Sequence, residues 1–223
     1  MRIRERRRAD ILAIAAALFA EKGYDNTSIQ DILDQLGKSK GSFYHHFRTK
    51  FDVLAAIAQS QATMAHTRYL DSAPENALDA LNCLLCQASM LDSSIPLLKC
   101  LSGPDGGYEG AALLSVLQNA VQQEFFSAFQ AVLLRLNRAG QAIYADESNA
   151  RIAFQGFLAG CALLLREAGN TPPGSAQANT RNLLAALRRQ MEAALGMLPG
   201  TVVILEYERL SKLLQALPSA GKG

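Results

Sequence analysis

Apolar residues in the first part of the chain recur at the spacing of a helix that buries one face. Ile11, Ala15 and Phe19 belong to this run, together with Leu12 and Leu18. The run ends at Lys22-Gly23, a basic last turn followed by a glycine suited to a left-handed cap. The pattern predicts a first helix of roughly eighteen residues.

Three further helix starts follow at short intervals. Thr27-Ser-Ile-Gln30 has the form of a capping box and predicts a second, short helix that stops at Gly37. Ser39 is placed to cap a third helix, with Phe43 and Phe47 one turn apart on its inner face. The second helix would bury Ile29, Ile32, Leu33 and Leu36, and a fourth, opening at 49–52, would turn Phe51, Leu54 and Ile57 inward.

Two short helices joined by a tight turn and braced by a longer one form a helix-turn-helix, whose second helix enters the DNA major groove. With Phe43 and Phe47 inward, the opposite face of the third helix carries polar residues and Gly41. A glycine inside a helix costs about 1 kcal/mol relative to alanine, which is easier to understand if a partner's backbone approaches there. The outward residues are Lys40, Gly41, Ser42, Tyr44, His45 and His46.

The segment from Thr27 to Leu54, TSIQDILDQLGKSKGSFYHHFRTKFDVL, resembles the DNA-binding domain of the TetR family of transcriptional regulators. The upstream ALFAEKGYDNTS matches as well, and the resemblance covers about residues 8–57. Phe43 stands where the family usually has leucine. The resemblance implies an all-α fold, in which a three-helix DNA-binding domain (1–50) precedes a helical ligand-binding and dimerisation domain (51–223).

The same resemblance implies which residues meet DNA. Lys40 and Ser42 would reach base edges or nearby phosphates, Tyr44 would give its hydroxyl to a phosphate, and Lys50 would clamp another. Thr27 and Ser28 would meet the backbone at the start of the second helix. The full DNA-binding set is Thr27, Ser28, Lys38, Ser39, Lys40, Gly41, Ser42, Tyr44, His45, His46 and Lys50. Ahead of the first helix, the arm with Arg2, Arg4, Arg6, Arg7 and Arg8 is either a solvated tail or a further DNA contact.

Beyond residue 57 the pattern predicts more helices, separated by glycine- and proline-rich breaks. They run from Pro74 to about Met90, from Ala111 to Arg138, from about Ser148 to Ala168, from about Gln177 to Leu195 and from Val202 to Leu217. A short helix would lie between Asp92 and Gly110, and 169–175 (GNTPPGS) would form a loop.

This second region is expected to form a dimer and to hold a ligand, because one helix-turn-helix reads only a few base pairs. Small residues on one helix permit close helix approach, either to a second copy or within the chain. The predicted dimer residues are Ala153, Gly156, Phe157, Gly160, Leu164, Leu184, Leu187 and Met191. The predicted pocket residues, which are otherwise plain core, are Met64, His66, Tyr69, Leu84, Gln87, Met90, Phe125, Phe126 and Phe129.

Composition and charge narrow the functional classes. Residues 1–50 hold ten Lys/Arg and six Asp/Glu, a net +4, while residues 51–223 hold twelve and fourteen, a net −2. A basic excess at one end suggests contact with a polyanion. No run of apolar residues is long enough to span a membrane and no signal-peptide core follows Met1, so a cytoplasmic protein without membrane contact is expected.

Cysteine and histidine spacing does not suggest a metal site, a cofactor or catalysis. Cys83 and Cys86 have no second pair nearby, and adjacent histidines such as His45 and His46 point about 100° apart on a helix. We therefore expect no enzyme, but a regulator that binds a palindromic operator as a homodimer and responds to a small apolar or amphipathic effector. The alternative is the same fold controlled by a protein partner, or by thiol oxidation at Cys83, Cys86 or Cys100.

Overall fold

The computed structural model describes residues 3–37, 39–89, 108–170 and 173–204, and every regular element among them is an α-helix. This confirms the all-α prediction. The helices are α1 (Ile3–Lys22), α2 (Ile29–Leu36), α3 (Lys40–Tyr44), α4 (Lys50–Ser72), α5 (Ala77–Ala88), α6 (Tyr108–Arg138), α7 (Glu147–Asn170) and α8 (Pro173–Ala194).

The second helix begins at a capping box formed by Ser28 and Asp31, one residue later than predicted. The Ser28 hydroxyl accepts a hydrogen bond from Asp31 N at 3.1 Å, and the Asp31 carboxylate accepts one from Ser28 N at 2.7 Å. Hydrogen bonds from Ser28, and then from Lys22, lower the pKa of Asp31 to about 2. Gly37 ends α2 in the left-handed conformation, with φ 60°.

The third helix is one turn long and is anchored by two phenylalanines. Phe43 and Phe47 are both buried, as predicted. Beyond Tyr44 the backbone continues to turn, because the N–H groups of His46 and Phe47 both donate to Phe43 O, at 2.8 and 3.0 Å. Ser39 occupies the N-cap position without a side-chain capping bond.

The fourth helix connects the unit formed by α1, α2 and α3, which we call the reader, to the rest of the molecule. It opens with a capping box in which Thr49 Oγ1 accepts from Asp52 N at 3.1 Å. Leu54 and Ile57 are buried as predicted, whereas Phe51 is 46% exposed and does not turn inward. Because α4 packs against both α1 and α6, the buried core continues from the reader into the second region.

Several boundaries in the second region differ from those predicted. The cap of α5 is Asn76, whose Oδ1 accepts from Leu78 N and Asp79 N, so the helix starts after Pro74. The loop predicted at 169–175 is shorter, since α7 extends to Asn170 and α8 opens at Pro173, a residue suited to a first helical position. The short helix predicted after Asp92 falls before residue 108, outside the described residues.

The segment after α8 was predicted to be helical from Val202, and residues 201–204 are not. Instead Asn82 of α5 pairs with this segment: its Oδ1 accepts from Val203 N at 2.8 Å, and its Nδ2 donates to Thr201 O at 3.3 Å. The buried carboxylate of Glu192 accepts from Gly200 N and Val202 N. Side chains of α5 and α8 thus pair with the backbone of this segment, and residues 205–217 lie outside the described part of the chain.

No helix in the described ranges is long and apolar enough to cross a bilayer.

Candidate nucleic-acid interface and interior site

Burial of Phe43 and Phe47 leaves the other side of α3 open. Lys40 and Gly41 are exposed at its start, and Tyr44 is 53% exposed. His45 is exposed next to them, while Ser42 and His46 are partly buried; Ser39 lies exposed at the N-cap. The structure therefore brings most residues predicted to meet DNA onto one surface. Lys38 lies outside the described residues.

Gly41 faces open space. A methyl group added at its Cα would meet no side chain or neighbouring segment within 4 Å, so the chain's own packing does not demand a glycine. Its φ is not in the left-handed region either. The absence of a side chain is therefore a property of the outer surface of α3, where another molecule's backbone could approach closely.

Thr27 has an internal role and does not offer its hydroxyl to DNA, which corrects the sequence prediction. It is 1% exposed, and its Oγ1 donates to Gly23 O at 2.7 Å and lies 3.4 Å from Leu18 O. Burying the hydroxyl is tolerated because the end of α1 supplies carbonyl acceptors. The neighbouring Ser28 is exposed and caps α2.

Lys50 is also engaged within the chain, and its role as a phosphate clamp stays a prediction. Its Nζ donates to Tyr24 O at 2.6 Å and lies 4.1 Å from the centre of the Tyr24 ring. Burial lowers the pKa of Lys50, against the opposing effect of the Asp25 carboxylate. These contacts join Lys50 to the loop between α1 and α2.

The arginines expected in a flexible arm lie instead on the first turns of α1. The helix begins at Ile3, so Arg4, Arg7 and Arg8 are helical, as is Arg6, and only Arg2 lies outside the described residues. The Arg8 guanidinium is 5.3 Å from the centre of the Phe47 ring. Burial, and then the charges of His45, Arg4, Arg8 and Arg7, lower the pKa of His46. Sequence reasoning missed this juxtaposition.

The predicted pocket residues divide into buried rings and outer side chains. Met64 is exposed, which corrects its assignment because it points away from the interior, and Gln87 accepts from Arg68 Nε at 3.2 Å near the surface. Met90 lies outside the described residues. The buried members are Tyr69, Leu84, Phe125, Phe126 and Phe129.

His66 stands among these rings beside a carboxylate. Its ring centre is 5.0 Å from that of Phe125 and 6.2 Å from that of Tyr69. Its Nδ1 is 3.7 Å from Glu124 Oε2, and the other oxygen of Glu124 accepts from Gln59 and from Thr63. This network joins α6 to α4, the helix that also connects to the reader.

A small cleft opens between α5, α6 and α7. Its lining is mostly aliphatic, with Gln118 and Ser89 as its amide and hydroxyl groups. None of the predicted pocket residues lines it. The lining comprises Ala88, Leu114, Leu117, Val121, Leu158, Cys161 and Ala162 in addition to these two.

Six of the eight residues predicted for the dimer interface are buried within the single chain, and the two glycines are partly buried. A Cβ added at Gly160 would clash with the side chain of Leu187, and one at Gly156 would come within 2.9 Å of Gln190, so both glycines permit close packing of α7 on α8. Intramolecular packing accounts for this small-residue pattern. The six buried members are Ala153, Phe157, Leu164, Leu184, Leu187 and Met191.

The outward side of α7 carries apolar residues that sequence reasoning did not single out. Ile152 is 71% and Leu163 is 41% exposed, and Ala159 between them is exposed as well. Spacings of seven and four residues place all three on one stripe of the helix.

The cysteines show no disulfide among the described residues. Cys83 and Cys86 are partly buried, and Cys161 is buried, which raises the pKa of its thiol. Cys83 Sγ lies 3.8 Å from Ser72 Oγ. Cys100 lies outside the described residues.

Residues 11–57 match the family model for bacterial regulatory proteins of the tetR family. The HTH-type transcriptional repressor KstR2 of Mycobacterium tuberculosis is 38% identical over 65 residues, 29% of this chain and 32% of the relative. AcnR of Corynebacterium diphtheriae, also a transcriptional repressor, is 35% identical over 72 residues, 32% of this chain and 36% of the relative. These matches span about a third of the relatives' own length.

Solved structures extend the likeness to the whole fold. A TetR-family regulator from Pectobacterium atrosepticum has a TM-score of 0.62 at 22% identity, over 86% of this chain and 95% of that one. RolR in complex with resorcinol has a TM-score of 0.55 at 16% identity, over 98% of both chains. Residues 11–57 therefore resemble the DNA-binding domain of the tetR family, and the chain shares the fold of solved TetR-family regulators.

Proposed function

We propose that this protein is a transcriptional repressor that binds a palindromic operator as a homodimer and releases it when a small ligand binds. The observation that carries the proposal is α3, which exposes Lys40 and Tyr44 on the side opposite its buried phenylalanines. KstR2 and AcnR, which resemble the N-terminal third of the chain, are repressors and not enzymes, and this supports it. The protein would act in the cytoplasm.

Each exposed group suits a different part of the DNA. A lysine such as Lys40 donates to guanine edges or to phosphate oxygens. The Tyr44 hydroxyl suits a phosphate, which fixes the register of the helix without reading sequence. Ser28, Ser39, Ser42, His45 and His46 would add hydrogen bonds around this centre, and Gly41 would let the DNA approach.

The two functions are assigned to different groups of helices. Residues 1–50 would read DNA and residues 51–223 would bind the ligand and the second copy. Two readers must lie about 34–36 Å apart to enter successive major grooves on one face of the DNA. The outward stripe of α7, with Ile152 and Leu163, is the apolar surface that we assign to the second copy.

Ligand control would act through α4. This helix contributes Tyr69 and His66 to the interior and begins at the reader, so a shift of α4 would move α3 relative to its partner's. RolR, whose fold this chain shares, binds resorcinol, which supports a small-molecule effector. Control by thiol oxidation at Cys83, Cys86 or Cys100 has less support, because Cys83 and Cys86 are only partly accessible.

Operator binding provides the test. An operator is first selected from random duplex DNA with the full chain, and affinity is then measured by fluorescence anisotropy over a range of salt concentrations. We expect affinity to fall steeply with salt, and Lys40→Ala to reduce the slope of log K against log salt by about 1 if it meets a phosphate. Tyr44→Phe removes one hydrogen bond and should weaken binding about three- to tenfold.

Arg138→Ala is the matched control, since it removes an exposed cation from the end of α6. It should leave affinity and slope unchanged. Failure to select any sequence would contradict the proposal as a whole, and unchanged binding by both Lys40→Ala and Tyr44→Phe would contradict the assignment of α3 as the reader.

A further inference from the structure

The face of α1 that packs into the core carries arginines in the first turns of the helix. Ile11 and Ala15, farther along this face, are buried. Positions three, four and seven residues before Ile11 lie on the same face, because an α-helix repeats about every 3.6 residues. The residues at these positions are Arg8, Arg7 and Arg4, and all three are exposed. A stripe that is apolar inside the protein is therefore cationic at its exposed end.

The arginines of this stripe face the end of α3. The guanidinium carbon of Arg8 lies 5.3 Å from the centre of the Phe47 ring, and the His46 ring centre lies 6.5 Å from the same point. His46 is only partly buried, so part of its imidazole is open to solvent. Two helices thus bring three guanidinium groups and one imidazole together. We call these four residues, Arg4, Arg7, Arg8 and His46, the basic cluster.

The basic cluster concentrates positive charge. None of the salt bridges among the described residues includes one of its arginines. Burial, and then the charges of His45 and of the three arginines, lower the pKa of His46. Like charges held close together repel, and an anion bound between them removes the repulsion. A phosphate group suits such a site, because guanidinium groups and a protonated imidazole all donate hydrogen bonds to its oxygens.

The position of the basic cluster points to the phosphates of DNA. Lys40 and Tyr44 are exposed on the surface of α3 that is proposed to enter the major groove, and His46 follows at the end of that helix. Phosphates of both strands border a major groove, so groups at the end of a reading helix meet the DNA backbone. The first turns of α1 would meet it at the same place.

We propose that the basic cluster binds phosphate groups of the DNA backbone, and that DNA binding places a proton from the solvent on His46. The proposal rests on the proposed function, because the phosphates are those of the operator. It extends the contact with DNA from α3 to α1, and it makes operator affinity depend on pH.

The direction of the pH dependence follows from the charges. In the free protein, burial and the positive neighbours disfavour the protonated form of His46, so the imidazole is largely neutral at neutral pH. A bound phosphate favours the protonated form and raises the pKa in the complex. Affinity is then highest below the pKa of the free protein and falls as the pH rises through the pKa of the complex. A difference of one unit between these two pKa values changes affinity about tenfold.

Operator affinity as a function of pH tests the proposal on the full chain. Anisotropy is measured between about pH 5 and 8, where histidine titrates, at constant chloride and without phosphate or sulfate. We expect affinity to be about tenfold higher at the acid end, and His46→Gln to remove most of this difference. His45→Gln and His66→Gln, which replace the other two histidines, should retain it. An equal pH dependence in the unmodified chain and in His46→Gln would overturn the proposal.

Histidine NMR resonances locate the proton directly, and the chain has three histidines to assign. Operator DNA should raise the pKa of His46 in the unmodified chain by about one unit. In the free protein, Arg4→Gln should raise this pKa because it removes a facing positive charge, whereas Arg6→Gln, on the opposite side of α1, should not. An unchanged pKa of His46 on DNA binding would overturn the proposal, whether or not each variant folds.

Random-sequence duplex DNA separates this proposal from the proposed function. Phosphate contacts do not depend on sequence, so a random duplex should raise the pKa of His46 as well. If the chain selects no operator but the random duplex raises this pKa, the proposed function fails and the phosphate site stands. If an operator is selected and the pKa does not change, only the phosphate site fails.

Discussion

Lys50 shows how one side chain can stabilise the reader from inside. Its ammonium group joins the start of α4 to the carbonyl of Tyr24, in the loop that connects α1 to α2. The Tyr24 ring adds a cation–π contact on the same side. Loss of this side chain should therefore act mainly on the packing of the reader, and only through it on contacts with DNA.

Lys50→Met should lower the free energy of unfolding by about 1.5 kcal/mol, because a hydrogen bond from a charged group is removed. Urea denaturation measures the change, and anisotropy with the selected operator measures affinity. Lys40→Met, on the exposed side of α3, is the matched lysine and should weaken affinity without changing stability. Weaker DNA binding by Lys50→Met at unchanged stability would instead indicate a phosphate contact.

At this scale the sequence predicted residue types better than residue roles. Thr27 and Ser28 are adjacent hydroxyl residues, and each has a polar residue three positions later, so local pattern could not decide which one caps α2. The decision comes from packing, because Thr27 is buried against the carbonyls at the end of α1. Lys50 is a similar case, since its partner Tyr24 lies in another loop.

At the scale of elements, the first helix changes the interpretation of the basic N-terminus. The arginines placed in an arm ahead of the first helix lie on helical turns of α1, where Arg8 lies over Phe47. Arg4 and Arg8 are four residues apart and share a face of α1, whereas Arg6 lies on the opposite side. A preformed helix would meet a phosphate without first being ordered.

The double variant Arg4→Ala/Arg8→Ala should weaken operator binding and reduce the slope of log K against log salt by about 1 to 2, roughly one unit for each phosphate that is no longer neutralised. Anisotropy titrations at several salt concentrations provide the measurement. Arg6→Ala, which removes the same charge from the other face, should leave the slope within error. Equal effects of Arg6→Ala and of either single variant would point to a diffuse charge effect instead of a direct phosphate contact.

The existence of most helices could be predicted from apolar periodicity, since α1, α2, α4, α6 and α8 each bury a regular face. Periodicity could not show what covers a face. The small-residue stripe of α7 fits a second copy or a neighbouring helix equally well, and here α8 covers it. Nor could local pattern foresee that the backbone at 201 and 203 pairs with Asn82 in α5.

At the scale of the whole molecule, the packing of α7 on α8 leaves an apolar stripe beside it. Ile152, Ala159 and Leu163 form this stripe. In an isologous dimer the same stripe faces its own copy, so a charge introduced there would meet the same charge across the two-fold axis. Like charges brought together in this way strongly oppose association.

Ile152→Glu/Leu163→Glu should therefore raise the dimer dissociation constant at least 100-fold and abolish cooperative operator binding. Sedimentation velocity measures the assembly state, and circular dichroism checks that the helices remain. Leu70→Glu introduces the same charge at another exposed apolar residue, on α4, and should leave assembly unchanged. Persistence of the dimer in the double variant would place its interface elsewhere.

At Gly41, the stability of the helix and the close approach of DNA favour different residues. The folded chain has room for a methyl group there and would gain about 1 kcal/mol of helix stability from alanine. If DNA is what meets this face, the glycine is maintained by the operator and not by the fold. Variation at this residue among natural sequences would then record changes in the partner, and would say little about the stability of the chain that carries it.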